Sequence, residues 1–141
     1  MDVIDQKLIL ALQENGRAPT AQLARLVGRS RTSVQSRIER LEKQGVIVGY
    51  SVRLAPEHGL GAVRAHVMIK VGAKETRAVA AALRTVEQVR VVHSVSGEVD
   101  LIAVAATASV AEMDQVIDRI GALDGVERTT SSIILSTKFE R

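Results

Sequence analysis

Between Asp5 and Gln13 the apolar residues Leu8, Ile9 and Leu12 recur at helical spacing, and Asn15-Gly16 supplies a stop, which predicts a first helix. Pro19-Thr20 opens a second, short helix that turns Leu23, Ala24, Leu26 and Val27 inward and closes at Gly28. Ser30 caps a third helix running to about Gln44, in which Val34, Ile38 and Leu41 form one apolar stripe before Gly45. Val46 to Leu54 is apolar and β-branched and reads as a strand or a short strand pair. Two helices joined by a glycine turn, the second longer and basic, with a strand behind them, outline a winged-helix-like helix-turn-helix over residues 1–54.

Pro56, Gly59 and Gly61 fall close together in residues 55–62, which predicts a linker there. A different pattern occupies 63–141. Val63 to Val71 reads as a strand with Val67, Ile69 and Val71 on one face, Ala73 to Val86 as a helix, and Val89 to Ser96 as a second strand. After the Gly97-Glu98 turn, Val99 to Thr107 reads as a third strand. Ser109-Val110-Ala111-Glu112 is a capping box opening a helix to about Leu123, and Thr129 to Phe139 reads as the last strand. The order β-α-β-β-α-β predicts an α+β, ferredoxin-like sheet with two helices on one face. Ile69, Val92, Ile102, Val104 and Ile134 cannot all lie under those helices, so the bare face is expected to bury itself against a second copy.

Charge separates the same two parts. Residues 1–53 hold nine Lys and Arg against five acids, a net of +4, whereas 54–141 holds ten against eleven, a net of −1. The first part is therefore the one expected to meet a polyanion. With Val34, Ile38 and Leu41 inward, Thr32, Ser36 and Lys43 point outward, flanked by Ser33 and Arg40. Short hydroxyl side chains let a backbone approach base edges and Arg forks onto guanine or phosphate, so this face suits the major groove of double-stranded DNA. Thr32, Ser33, Ser36 and Arg37 are the expected base contacts, and Arg29, Arg31, Arg40 and Lys43 the expected phosphate contacts. A solvated basic helix is the competing reading.

Other chemistry finds little support. The chain has no Cys, which removes disulfides, thiolate zinc sites and Cys nucleophiles, and its only aromatics are Tyr50 and Phe139, too few for a base-stacking platform. His58, His66 and His93 lack ligand spacing, so no metal site is expected. Gly59-Leu60-Gly61 precedes a strand, where a dinucleotide motif must follow one, and no nucleophile motif accompanies His93, so neither a cofactor nor catalysis is expected. No apolar run approaches a membrane span and the start lacks a signal-peptide pattern, which predicts a cytoplasmic protein, nucleoid-associated if the basic first part meets DNA.

The residues also carry a resemblance. Asp2 and Asp5 before Ile9-Leu10, then Gly16-Arg17, Leu23-Ala24, Val27-Gly28, Ser30, Val34, Arg37-Ile38, Arg40-Leu41-Glu42, Gly45-Val46-Ile47 and Gly49-Tyr50 make the first part similar to the Lrp/AsnC, or feast/famine, transcriptional regulators. Val95-Ser96-Gly97-Glu98-Val99-Asp100-Leu101 and Gly125-Val126 extend the match through the second part. The resemblance implies a helix-turn-helix followed by a ligand-sensing domain, homodimers paired through its sheets, and assembly to tetramers, octamers or larger. It also implies a small effector, most often an amino acid, bound near the Gly-x-x-Asp turn. In this chain that site would involve Gly97, Glu98 and Asp100 with Thr129, Thr130 and Ser131. A carboxylate for an ammonium and hydroxyl or amide donors for a carboxylate are what a zwitterion requires. The same residues also read as an ordinary turn and a solvent-facing strand. Many members place aromatics beside this Asp, where this chain has Val99 and Leu101. The reading is a sequence-specific, effector-responsive DNA-binding regulator. Two alternatives are an architectural DNA-binding protein without effector response, and a metabolic enzyme or subunit whose second part supplies an amino-acid site while its first helices merely pack.

Overall fold

The computed structural model describes residues 1–55, 58 and 61–140. The chain divides into two compact units, Met1–Arg53 and Leu54–Arg141. Of the linker expected at 55–62, residues 56, 57, 59 and 60 lie outside those described.

The first unit holds α1 (Val3–Glu14), α2 (Thr20–Val27) and α3 (Arg31–Lys43). α1 starts two residues before the apolar pattern does, because Asp2 caps it and Asp5 returns the bond: Asp5 N donates to Asp2 Oδ1 at 2.9 Å and Asp2 N to Asp5 Oδ2 at 3.0 Å. Gly28, in the left-handed region at φ 65°, ends α2, and the Ser30 hydroxyl accepts from Ser33 N at 3.2 Å to open α3. Leu8, Leu23, Ala24, Val34 and Ile38 form the buried core. Leu26, expected inside, is exposed, since it lies off the face that Leu23, Ala24 and Val27 share.

The strand expected over Val46 to Leu54 is absent. Val46 N and Ile47 N both donate to Leu41 O, a turn that finishes α3, and beyond Ile47 the chain carries Val48 and Val52 into solvent. β-branched composition favours extended backbone, but a strand needs a partner edge, and the described residues of this unit contain none.

The second unit runs β1 (Val63–Val71), α4 (Thr76–Leu83), β2 (Val89–Ser94), β3 (Leu101–Thr107), α5 (Val110–Gly121) and β4 (Val126–Ile133). The antiparallel sheet has the order β2-β3-β1-β4, the expected ferredoxin-like arrangement. Ala65, Val67, Ile69 and Val71 of β1, with Leu101, Ala103 and Ala105 of β3, form its buried face. They pack on Val79 and Leu83 of α4 and on Met113, Val116 and Ile120 of α5. The opposite face carries His66, Met68, Ile102 and Val104, so of the five residues proposed to overfill the core Ile69 is inside, Val92 packs against it, Ile102 and Val104 are out, and Ile134 lies half-buried just past the end of β4. β4 starts at Val126 and ends at Ile133, short of the expected Phe139, because β1 runs out: Ile134 N to Arg64 O is its last rung. The β2–β3 ladder slips between Val89 and Val91, leaving Arg90 unpaired. α5 keeps its Ser109 cap, but Glu112 reaches back to Ala108 N instead of the cap residue's own N–H.

Candidate nucleic-acid interface and effector turn

α3 owes its position to the Val34, Ile38 and Leu41 stripe, which is buried and therefore fixes what faces outward. Thr32, Ser36 and Lys43 are exposed on the opposite side, Arg31 is exposed in the first turn, Ser33 is half-buried, and Arg29 precedes the helix, donating to Gly28 O at 3.3 Å. Among the described residues none of Arg29, Arg31 and Lys43 has an acidic partner within ion-pair distance. The outward surface thus offers hydroxyls in its middle and uncompensated cations at both ends.

Arg37 and Arg40 are placed differently from the sequence expectation. Arg37 Nη1 lies 2.7 Å from Asp2 Oδ2 and 2.8 Å from Asp5 Oδ1, while Arg40 Nη2 lies 2.9 Å from Asp5 Oδ2. The Asp5 side chain is only 1% exposed, and a carboxylate that far from water must be compensated. Both guanidiniums therefore face α1 in this structure, turned toward Asp2 and Asp5 and not toward the outward surface. Sequence reasoning missed the role of Asp2 and Asp5. Two acids three apart at the start of α1 and two arginines three apart on α3 were the available signal.

The electrostatics follow from this geometry. The Asp5 backbone N–H and the Arg37 guanidinium hold Asp2 at about 2 against an ordinary 3.8. Burial pushes Asp5 up, but the Asp2 N–H, Arg37 and Arg40 together outweigh it and bring it down, and both carboxylates raise Arg37. Since Asp2 binds its proton more readily in the unfolded chain, its contribution to stability is present above 3.8 and is lost as pH falls toward about 2. An acid titration followed by helical circular dichroism should therefore show a destabilising limb in that window, flattened in Asp2→Asn. An unchanged limb in that variant would count against the pairing.

In the second unit Gly97, at φ 114° and open to solvent, and exposed Glu98 form the turn between β2 and β3. Asp100 is built into that end of the sheet: its N donates to Ile69 O, its O accepts from Val95 N, and its Oδ2 accepts from Val71 N at 3.0 Å with Lys70 Nζ at 3.7 Å. Thr129 pairs with Ile69, so it reaches the same end of the sheet on the far side of β1, two strand spacings or about 10 Å across. Strand alternation separates the expected trio: Thr130 lies on the helix-free face, whereas Thr129 and Ser131 lie on the other, Thr129 beside Gly121 of α5. Lys70 and Arg128, paired in register at this end, were not singled out from the sequence. No group of three or more His, Asp or Glu able to hold a metal occurs among the described residues, and none of their helices is long and apolar enough to cross a membrane.

The AsnC-type helix-turn-helix domain matches residues 1–42, and the Lrp/AsnC ligand binding domain matches residues 64–141. The chain belongs to the Lrp/AsnC family of transcriptional regulators. This Lrp/AsnC chain is 36% identical to the HTH-type transcriptional regulator LrpA of Mycobacterium tuberculosis over 140 residues, covering 99% of itself and 93% of that protein. Its fold superposes on the feast or famine regulatory protein of M. tuberculosis complexed with L-methionine, with a TM-score of 0.84 and 35% identity over 99% and 95% of the two chains. A transcriptional regulator of Neisseria meningitidis in complex with L-methionine gives 0.89 and 27% over 99% and 93%. The relatives it matches are HTH-type transcriptional regulators, in keeping with the expectation of a regulator.

Proposed function

We propose that this Lrp/AsnC regulator reads duplex DNA through the outward face of α3 and changes its assembly or its DNA affinity when an amino acid binds at the Gly97 to Asp100 end of the sheet. The observation that carries the DNA half is the exposed row of Thr32, Ser36 and Lys43 with Arg29 and Arg31 uncompensated beside it. Thr32, Ser33 and Ser36 then contact base edges, and Arg29, Arg31 and Lys43 contact phosphates. The helix-free face of the sheet, with Met68, Ile102 and Val104 between His66 and His93, pairs with a second copy. Two recognition helices held by such a dimer suit half-sites about one helical turn apart.

The effector half draws on the two similar proteins that hold L-methionine. Gly97, Glu98, Asp100 and Thr129 supply carboxylates, a hydroxyl and turn amides for a zwitterion, with Thr130 at the same end on the other face of the sheet and Ser131 further along β4. Binding shifts the protein only as far as it favours one state over the other. The test is binding to the DNA upstream of the protein's own gene against random duplex, with and without each standard amino acid. A specificity ratio of about a thousandfold or more is the expected result, altered by at least one amino acid. Equal binding to both duplexes, indifferent to every amino acid, would replace this reading with that of an architectural DNA-binding protein.

A further inference from the structure

Arg37 and Arg40 stand one helical turn after Ser33 and Ser36; Arg40 arises on the flank of the proposed DNA-reading face, and Arg37 between that flank and the buried stripe. Guanidiniums in such positions ordinarily reach phosphate. Here each is turned instead onto α1, and the buried Asp5 takes three of the contacts: Arg37 Nη1 at 2.8 Å, and Arg40 Nη2 at 3.0 and 2.9 Å from its two oxygens. Asp2, more exposed, takes the remaining one at 2.7 Å. The acids that hold these cations are also the pair that caps α1, so the first turn of one helix and the middle of another are joined through a shared set of charges.

We infer that Asp5, assisted by Asp2, is a positioning residue that determines specificity: it locks α3 against α1 and withholds two cations from the DNA backbone. This rests on the proposal that α3 meets DNA. Phosphate contacts add affinity for any sequence, and base contacts add discrimination. A recognition face that surrendered Arg37 and Arg40 to the backbone would bind every duplex more tightly and separate operator from random DNA less well. The lock holds the hydroxyl row at one depth and angle while keeping the indiscriminate part of the binding small.

The test uses the full-length protein and its Asp5→Asn and Asp2→Asn variants, with random duplex and the upstream DNA fragment, at low and moderate salt. For Asp5→Asn we expect tighter binding to random duplex, a smaller specificity ratio and a steeper salt dependence. Each released cation that finds a phosphate should deepen the loss of affinity between about 50 and about 200 mM salt by about 3.5-fold. Adding Arg40→Gln to Asp5→Asn should restore much of the wild-type slope, a reversal that a purely structural defect would not show. Asn caps a helix as well as Asp does, so Asp2→Asn preserves the start of α1 and removes one of the two carboxylates that hold Arg37, leaving Asp5 as its partner. If Asp5→Asn does not fold, Arg40→Gln in the otherwise wild-type protein decides: a salt slope equal to that of wild type supports the inference, because Arg40 is held on Asp5 and not on phosphate, and a slope shallower by one phosphate contact overturns it. Wild-type protein that shows no salt-dependent duplex binding would instead overturn the DNA reading itself.

Discussion

Leu8→Ala is expected to unfold the first unit at physiological temperature and to abolish DNA binding while leaving the second unit folded. Leu8 is fully buried at the centre of a core of five residues contributed by α1, α2 and α3. Truncating a buried Leu to Ala costs about 2 to 5 kcal/mol, because the transfer energy of the lost atoms is joined by the cavity they leave. A unit of 53 residues has a total stability of only roughly 3 to 8 kcal/mol, so the loss is comparable with the whole. No other cluster in the unit can take over, since α2 buries only Leu23 and Ala24. Calorimetry of the full chain should show the transition of the helical unit moved down by tens of degrees or gone, with the sheet's transition retained. A helical transition within a few degrees of wild type would mean that this core is not what holds the unit together.

Gly125→Val is the corresponding change in the second unit. Gly125 has φ 91°, where a β-branched residue is badly strained, and a Cβ there would stand 3.0 Å from both Glu75 Cβ and Val79 Cγ2 of the α4 region. Backbone strain of about 1 to 3 kcal/mol and overpacking of a similar size act together. The damage falls where Gly125 O accepts from Gly72 N at 2.9 Å, the bond that aligns the start of β4 with the end of β1. Thr129 and Asp100 depend on that alignment, so loss of effector response should accompany loss of stability. Gly97→Val separates the two causes, because Gly97 shares the positive φ but has nothing within 4 Å to strike. The denaturant midpoint of Gly97→Val should fall by clearly less than that of Gly125→Val. Equal shifts would show that the crowding against α4 is unimportant.

How much of this was legible depended on whether the physics was local. Ser30, Gly28 and Gly45 act on the backbone within a few residues, and the ends they set for α2 and α3 could be read directly. β1, buried on one face throughout, kept its period from Val63 to Val71. β4 was misplaced by several residues because its length is dictated by β1, a partner distant in sequence. The segment from Val46 to Leu54 has every local attribute of a strand and is not one, since no composition can supply an absent neighbour. In the candidate interface, the outward placement of Thr32, Ser36 and Lys43 follows from a helical wheel, whereas the pairing of Arg37 with Asp2 and Asp5, 35 and 32 positions earlier, does not. The resemblance had already marked both the acids and the arginines, but only coordinates join them.

The slipped register at Arg90 bears on how the protein behaves when it is concentrated. An open sheet has two outer strands whose unsatisfied amides invite further chains, the route to fibres. In β2 the irregularity sets a guanidinium into the outer strand and breaks the regular spacing that a docking strand would need to match. β4 is guarded more simply, by Arg128 and a run of hydroxyl residues from Thr129 to Ser132 that offers an incoming strand little apolar gain. Lateral growth is thereby discouraged at both edges of the four-stranded sheet.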